Sequence, residues 1–163
     1  MWLSLTATIE DRATREMTAA LQAAPFAPLC LWIDSEGGDG DCTFELYRQI
    51  RQRAAETHAH ITNRCYSGAL IVALACDVRS ADPRARFLAH NSNCRMSGFR
   101  TAAQLRTDAE WLATLDRDMA EVIGQRTRYP RWRLQDDMAE ERYIDAQEAW
   151  LFGILTVQPK LTD

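Results

Sequence analysis

Apolar residues along the first half of the chain alternate between the spacing of strands and that of helices. Leu29 to Ile33 is a continuous apolar run, which is typical of a parallel strand buried on both faces. Further strands are predicted at 2–7, 58–62 and 86–90. Apolar residues at helical spacing fall between them, at 9–21, 44–54 and 68–76. This alternation predicts an α/β fold with a largely parallel sheet and right-handed crossovers.

The second half of the chain is dominated by one long predicted helix, at about 101–127. Thr101 and Gln104 match a capping box at its start, and Pro130 follows its end. Its apolar stripe consists of Leu112, Leu115, Met119 and Val122. Such a helix spans about 40 Å, whereas a domain of this size has a radius of gyration of about 15 Å. It must therefore project, bend or pack on a neighbouring subunit, which favours an oligomer.

Composition excludes several classes of protein. No repeat or linker interrupts the 163 residues, so one domain is expected over 1–163. The net charge is −4 and the arginines are scattered, which argues against a nucleic-acid partner. The best apolar run, 69–76, is far shorter than the roughly 20 residues that cross a bilayer. We therefore predict a soluble protein of the cytoplasm with no membrane partner.

The five cysteines form no CxxC pair and have no histidines nearby at metal-ligand spacing. Their odd number, together with the missing signal peptide, indicates reduced thiols. We predict no metal and no cofactor.

Glycines and a serine follow two of the predicted strands, where ligands sit in open α/β sheets. The segment 35–41 contains Gly37 and Gly38, whose amides could approach a ligand closely and stabilise an oxyanion. The alternative is a flexible turn. Ser67 lies between a strand and an apolar helix, where free amides favour negative charge. The alternative for Ser67 is a plain helix cap.

Three histidines are available as a base that could activate a serine. His90 ends a predicted strand about two dozen residues after Ser67, although a histidine on a strand is more often structural. His58 and His60 precede Ser67 on the same predicted strand and should point along it. His90 is therefore the candidate base.

Taken together, these segments resemble the proteolytic subunit of Clp protease and its phage-encoded relatives. The matching stretches are LWIDSEGGDGDCTFELY at 31–47, CYSGALIVALACDVR at 65–79, FLAHN at 87–91 and RYIDAQEAWLFGILT at 142–156. The resemblance implies a ClpP/crotonase-like fold of repeated β-β-α units, with the long helix as an oligomerising handle. It also implies a ring-forming homo-oligomer that cleaves peptides or unfolded proteins.

The resemblance also assigns roles to residues. Ser67 would be the nucleophile and His90 the general base, while Gly38 and Gly68 would donate amides to the oxyanion. Glu141 falls where the family usually has the aspartate of the triad. Asp145 competes for that role, but the stretch Asp145 to Glu148 reads as a capping box that opens the last helix.

The chain departs from the family just before the serine, where the family has small residues. Tyr66 is expected to narrow the substrate groove, and Cys65 is an alternative nucleophile. The chain begins directly at the first predicted strand, so docking to an ATPase is left open. The only lysine, Lys160, lies in the tail and argues against a serine–lysine dyad.

Two other functions are compatible with the pattern. The first is a catalytically inactive assembly subunit with the same fold and oligomer. The second is a crotonase-type enzyme acting on acyl-CoA. That class commonly works with a glutamate soon after the second oxyanion loop, and no convincing one lies between Gly68 and His90.

Overall fold

The computed structural model describes residues 1–160, in which one sheet is flanked by helices. Its strands are β1 (Trp2–Leu5), β2 (Leu29–Ser35), β3 (Thr57–Tyr66), β4 (Val78–Ala81), β5 (Arg86–Leu88) and β6 (Tyr143–Asp145). Its helices are α1 (Asp11–Ala23), α2 (Gly40–Arg51), α3 (Gly68–Ala75), α4 (Ala102–Arg126), α5 (Arg131–Ala139) and α6 (Ala146–Leu151). The predicted α/β class is confirmed.

The sheet is organised around β3. β2 pairs with β3 in parallel, and β1 pairs with β2 in parallel. On its other edge, β3 pairs with β4 through residues 58–61 and with β5 through residues 64–66. β6 then pairs antiparallel with β5. The carboxyl ends of β2, β3 and β5 therefore meet at one edge of the sheet, as the predicted parallel arrangement requires.

Several element boundaries differ from the predictions. β3 was expected to end at 62 but runs to Tyr66, because Arg64 to Tyr66 continue the ladder with β5. β2 extends through Asp34 and Ser35, which shortens the predicted loop after it. β4 was not predicted, because its four residues VRSA carry no clear strand pattern. Nor was α5, which begins directly after Pro130 rather than being excluded by it.

The core lies on one face of the sheet. Leu29, Leu31 and Ile33 of β2 are buried, whereas Trp32 is 41% exposed. The prediction that β2 is buried on both faces is therefore wrong, because an apolar run does not reveal which face is covered. Every residue of α3 is buried, so this short helix forms the centre of the core.

Helix α4 is 25 residues long, and its start carries the predicted capping box of Thr101 and Gln104. At 1.5 Å per residue it spans about 38 Å. Its buried residues all fall in the second half, and they are Leu115, Met119, Val122 and Ile123. The first half is largely exposed, so the helix packs at one end and projects at the other. Within residues 1–160, the structure has no helix with the length and apolar character to cross a bilayer.

A buried arginine joins the last part of the described chain to the core. Arg79 of β4 is 4% exposed, and its guanidinium donates to the carbonyls of Cys76, Arg126, Gly153 and Ile154. Burial lowers the pKa of Arg79 to about 10. The side chain therefore connects the end of α3, the end of α4 and the segment after α6.

We predict that Arg79→Met will lower the free energy of unfolding by about 3 kcal/mol, because buried carbonyls lose a charged donor. Urea unfolding followed by circular dichroism measures the change. Arg84→Met is the control, since Arg84 is exposed and lies on the adjacent turn. Equal effects of the two substitutions would contradict a structural role for Arg79.

Candidate active site

Ser67 stands on a sharp turn between the end of β3 and the start of α3. Its backbone has φ 53° and ψ −125°, a conformation that few residues other than glycine adopt. Its amide donates to the carbonyl of Leu88 at 2.7 Å, which fixes the turn beside β5. The side chain makes no capping hydrogen bond. Ser67 thus occupies the N-cap position predicted as the alternative, but its side chain does not cap the helix.

The loop with Gly37 and Gly38 packs directly against this turn. Gly37 has φ 92°, and a Cβ placed there would lie 2.7 Å from the carbonyl oxygen of Tyr66 and 2.8 Å from the amide nitrogen of Gly68. The Gly37 carbonyl accepts from the Ile9 amide at 2.8 Å, and the Gly37 amide donates to Ser35 Oγ at 3.1 Å. These hydrogen bonds hold Gly37 from both sides, which favours a defined loop over the alternative of a flexible turn.

The two glycines expected to donate to an oxyanion are placed beside the serine. Gly68 is the first residue of α3, so its amide has no carbonyl partner within the helix. Gly68 also lies against Thr43 of α2, whose side chain occupies the space that a side chain at position 68 would need. Gly38 lines the same cleft as Ser67 and Gly68. The amides of Gly38 and Gly68 thus flank one cavity.

This cavity is an open cleft of about 760 Å³. Ser67, His90, Gly38 and Gly68 line it together. Its apolar wall comes from α2, α3 and α4, and consists of Phe44, Ile71, Trp111, Leu115 and Met119. Sequence reasoning did not assign the long helix to the site. The apolar stripe of that helix was the available signal, but a stripe does not show what it faces.

His90 faces the cleft two residues after the end of β5. Its Nδ1 lies 2.8 Å from the carbonyl oxygen of Asn91. A carbonyl can only accept, so Nδ1 carries the proton and Nε2 of the neutral ring has a free lone pair. Among the described residues, Ser67 and His90 share the cleft but make no hydrogen bond to each other. We call this an open arrangement: Ser67 and His90 line the same cleft, but their side chains are not hydrogen-bonded to each other.

The pairing of β5 with β6 distinguishes the two candidate acids. Leu88 pairs with Tyr143 and Arg86 with Asp145, so Tyr143 marks the end of β6 nearer to His90 and Asp145 the end farther from it. The carbonyl of Met138 accepts from the amides of both Asn91 and Glu141, each at 3.4 Å. Glu141 thus lies on the turn before the nearer end of β6, and this turn is joined through Met138 to the residue that follows His90.

The carboxylate of Asp145 is engaged at the start of α6. Its carboxylate accepts from the amide of Glu148 at 2.8 Å and caps α6, which confirms the predicted cap. In the ladder it pairs with Arg86, at the end of β5 remote from His90. Glu141 is therefore the better placed of the two carboxylates, although it makes no hydrogen bond to His90 in the described chain.

The residues that precede Ser67 do not enter the cleft. Cys65 is fully buried, and desolvation raises the pKa of its thiol far above the ordinary range, so a reactive thiolate is not formed there. Tyr66 packs edge-on against Tyr143 with ring centroids 5.3 Å apart, and it does not line the cleft. The prediction that Tyr66 narrows the groove is therefore wrong.

Arg64 joins β3 to the end of β2 and to the glycine loop that follows it. Its guanidinium bonds Asp34 and Glu36, each at 2.8 Å. The hydrogen bond from Arg64 lowers the pKa of Asp34 below its usual value. These contacts add a third support to the loop that presents Gly38.

The fold and the cleft together define an α/β protein with a serine on a strand-to-helix turn, a glycine loop beside it and a histidine just after β5. The family model described as Clp protease matches residues 2–157. The chain belongs to the Clp protease family.

Curated relatives and a solved structure agree with this assignment. The chain is 25% identical to the ATP-dependent Clp protease proteolytic subunit 2 of Borreliella burgdorferi, over 89% of this chain and 74% of the relative. It is 30% identical to the corresponding subunit of Cuscuta reflexa, over 78% of this chain and 64% of that protein. A ClpP1 variant of Listeria monocytogenes has the same fold, with a TM-score of 0.82 at 16% identity over 94% of this chain and 88% of that one.

The close approach of the glycine loop to the serine turn yields a prediction. Gly37→Ala places a Cβ against the Tyr66 carbonyl and the Gly68 amide, and it also strains a backbone with positive φ. We expect the loop to shift and labelling of Ser67 by a fluorophosphonate to slow at least about tenfold, since the amides that stabilise the developing charge move.

Gly98→Ala is the control for this substitution. Gly98 also has positive φ, but a Cβ there meets nothing within 4 Å. Labelling as fast in Gly37→Ala as in Gly98→Ala would show that the position of the loop is not critical.

Proposed function

We propose that this chain is a serine peptidase subunit that cleaves peptide bonds by acyl transfer inside a ring-shaped homo-oligomer. The observation that carries the proposal is the shared cleft, in which the Gly37–Gly38 loop presses on the Ser67 turn and His90 faces the same space. Membership of the Clp protease family supports the same reaction class.

The proposed reaction follows from this arrangement. His90 Nε2 accepts the proton of Ser67 Oγ, and the oxygen attacks a peptide carbonyl carbon. The amides of Gly38 and Gly68 donate to the oxyanion that forms, which is often worth about 100- to 1000-fold in turnover per donor. His90 returns the proton to the departing amine, which leaves the acyl group on Ser67. Water then attacks the acyl carbon while His90 takes a proton from it. His90 finally returns this proton to Ser67 Oγ as the acid product departs. In the proposed mechanism Glu141 orients and charge-balances the imidazole.

Exposed apolar residues on and before the first half of α4 support the proposed oligomer. Leu105 is 42% exposed and Trp111 is 39% exposed on this projecting half, and the preceding segment exposes Met96 and Phe99. Exposed apolar surface of this kind is typical of an interface. We propose that α4 acts as the handle that joins neighbouring subunits. The substrate would be a peptide or an unfolded protein that reaches the cleft from inside the assembly.

All five cysteines are free thiols, which supports the proposed location in a reducing cytoplasm.

One observation favours a second candidate, the catalytically inactive assembly subunit. His90 Nδ1 is bonded to the Asn91 carbonyl, and Ser67 makes no hydrogen bond to the ring within the described residues. An inactive subunit would keep this open arrangement in every oligomer. An active subunit would close it when substrate or neighbouring subunits are present.

Labelling with a fluorophosphonate separates the two candidates. The wild-type chain should gain one fast adduct on Ser67, located by peptide mapping, while Ser67→Ala and His90→Ala should lose it. Each size-exclusion fraction is labelled separately, because the site could require the ring. Hydrolysis of short fluorogenic peptides is measured in parallel without an ATPase, since such peptides need no unfolding. If no fraction labels at Ser67, the chain is the inactive subunit.

The choice of acid is tested by a matched pair of substitutions. Glu141→Gln should lower kcat for a short peptide at least about tenfold, with little change in KM, because the imidazolium loses its charge partner. Asp145→Asn is the control, since asparagine still caps α6. A larger loss in Asp145→Asn, with the fold intact by circular dichroism, would reverse the assignment.

A further inference from the structure

A second serine, histidine and aspartate are joined by hydrogen bonds on the exposed face of the sheet. His60 of β3 pairs in register with Ser80 of β4. His60 Nδ1 lies 2.9 Å from Ser80 Oγ, and His60 Nε2 lies 3.3 Å from Asp82 Oδ1. None of these residues lines the cleft that holds Ser67. Sequence analysis expected His60 to point along its strand, whereas its side chain reaches across to β4.

The carboxylate decides where the proton of His60 lies. Because the ionised Asp82 can only accept, Nε2 of the neutral ring carries the proton and donates it to Asp82. Nδ1 then has the lone pair and accepts the Ser80 hydroxyl hydrogen. Ser80 is therefore bonded to a base that is itself supported by an acid. The order of groups is that of a serine–histidine–acid triad, with the two ring nitrogens exchanged.

An apolar surface lies next to this group. The Trp32 ring meets His60 edge-on, with ring centroids 4.8 Å apart, and Trp2 stacks on Trp32 at 6.2 Å. Trp2 is 71% exposed, so solvent-facing aromatic surface continues from the histidine to the first strand. An aromatic or aliphatic group of a small molecule can pack on these rings while its polar end reaches Ser80.

We propose that Ser80 is a second acyl acceptor, which reacts with small esters whose apolar part packs on Trp32. The Ser80 Oγ–acyl carbon bond forms as the ester C–O bond breaks. The hydroxyl proton passes to His60 Nδ1 and then to the departing alkoxide, which leaves as an alcohol. The product is an acyl-serine on the exposed face of the sheet. This site does not depend on the function proposed for the cleft.

The expected reactivity is intermediate. A positioned general base typically contributes about 100- to 10 000-fold. Amides that stabilise the oxyanion would increase the rate of acylation further. β3 and β4 contain no glycines that could present such amides to Ser80. Acylation of Ser80 should therefore be slower than at a complete active site, and at least about tenfold faster than at an ordinary exposed serine.

Ser4 provides the matched comparison within the same molecule. It is exposed on β1 and pairs in register with Trp32, but no histidine is bonded to it among the described contacts. The Ser67→Ala chain is treated with p-nitrophenyl butyrate, and the acyl adducts at Ser80 and Ser4 are followed over time by peptide mass mapping. We expect the adduct at Ser80 to form at least about tenfold faster than the one at Ser4.

Substitutions then test the role of the base. His60→Gln and Asp82→Asn should each slow acylation of Ser80 without changing the rate at Ser4. His58→Gln should change neither, because the His58 ring faces Glu56 instead. Equal rates at Ser80 and Ser4 in the Ser67→Ala chain would overturn the proposal, and this comparison needs no change near His60. An unchanged rate at Ser80 in a folded His60→Gln chain would overturn it as well.

Discussion

The long strand β3 is the element on which the rest of the structure depends. Its amides and carbonyls pair with β2 on one edge, and with β4 and then β5 on the other. β4 pairs with the first part of this second edge and β5 with the last part. β5 therefore lies beside the end of β3 that leads into Ser67. The Leu88 carbonyl then accepts the Ser67 amide, so the hydrogen bonding of the sheet itself sets the distance between the serine turn and the strand that carries His90.

The pairing of the antiparallel strand β6 with β5 bears on the positions of the two candidate acids, Glu141 and Asp145. β6 returns to β5 through a connection that contains α4 and α5, and the turn at Glu141 follows α5. In its register Asp145 lies opposite Arg86, and it caps α6, whereas Glu141 lies on the turn before the end of β6 that pairs with Leu88. The two carboxylates lie four residues apart and have different surroundings.

Much of this arrangement could be predicted from the sequence. Strand–helix alternation indicated the fold, and the Gly37–Gly38 pair, Ser67 and His90 were found from their places after predicted strands. The exposed face of β2 was missed, because an apolar run contains no sign of what covers it. The part of α4 in the cleft was missed for a similar reason, since a helical stripe identifies a buried face but not its partner.

The hydrogen-bonded group on the exposed face could not be found from the sequence for a different reason. His60 lies 20 residues before Ser80 and 22 before Asp82, and β4 has no recognisable strand pattern. Their contact depends on the register of two strands, which is set by the packing of Ala59 and Ile61 on the other face. Local patterns therefore predicted the residues that follow strand ends, and failed for residues that meet across a ladder.

Arg79 couples two distant parts of the chain. Its guanidinium lies beside α3, which begins directly after Ser67, and its partners Gly153 and Ile154 lie 74 and 75 residues later in the chain. Local contacts of β3 and α3 therefore do not satisfy this charged side chain. The packing behind the serine turn is completed by the segment after α6, so we expect these two segments to unfold cooperatively.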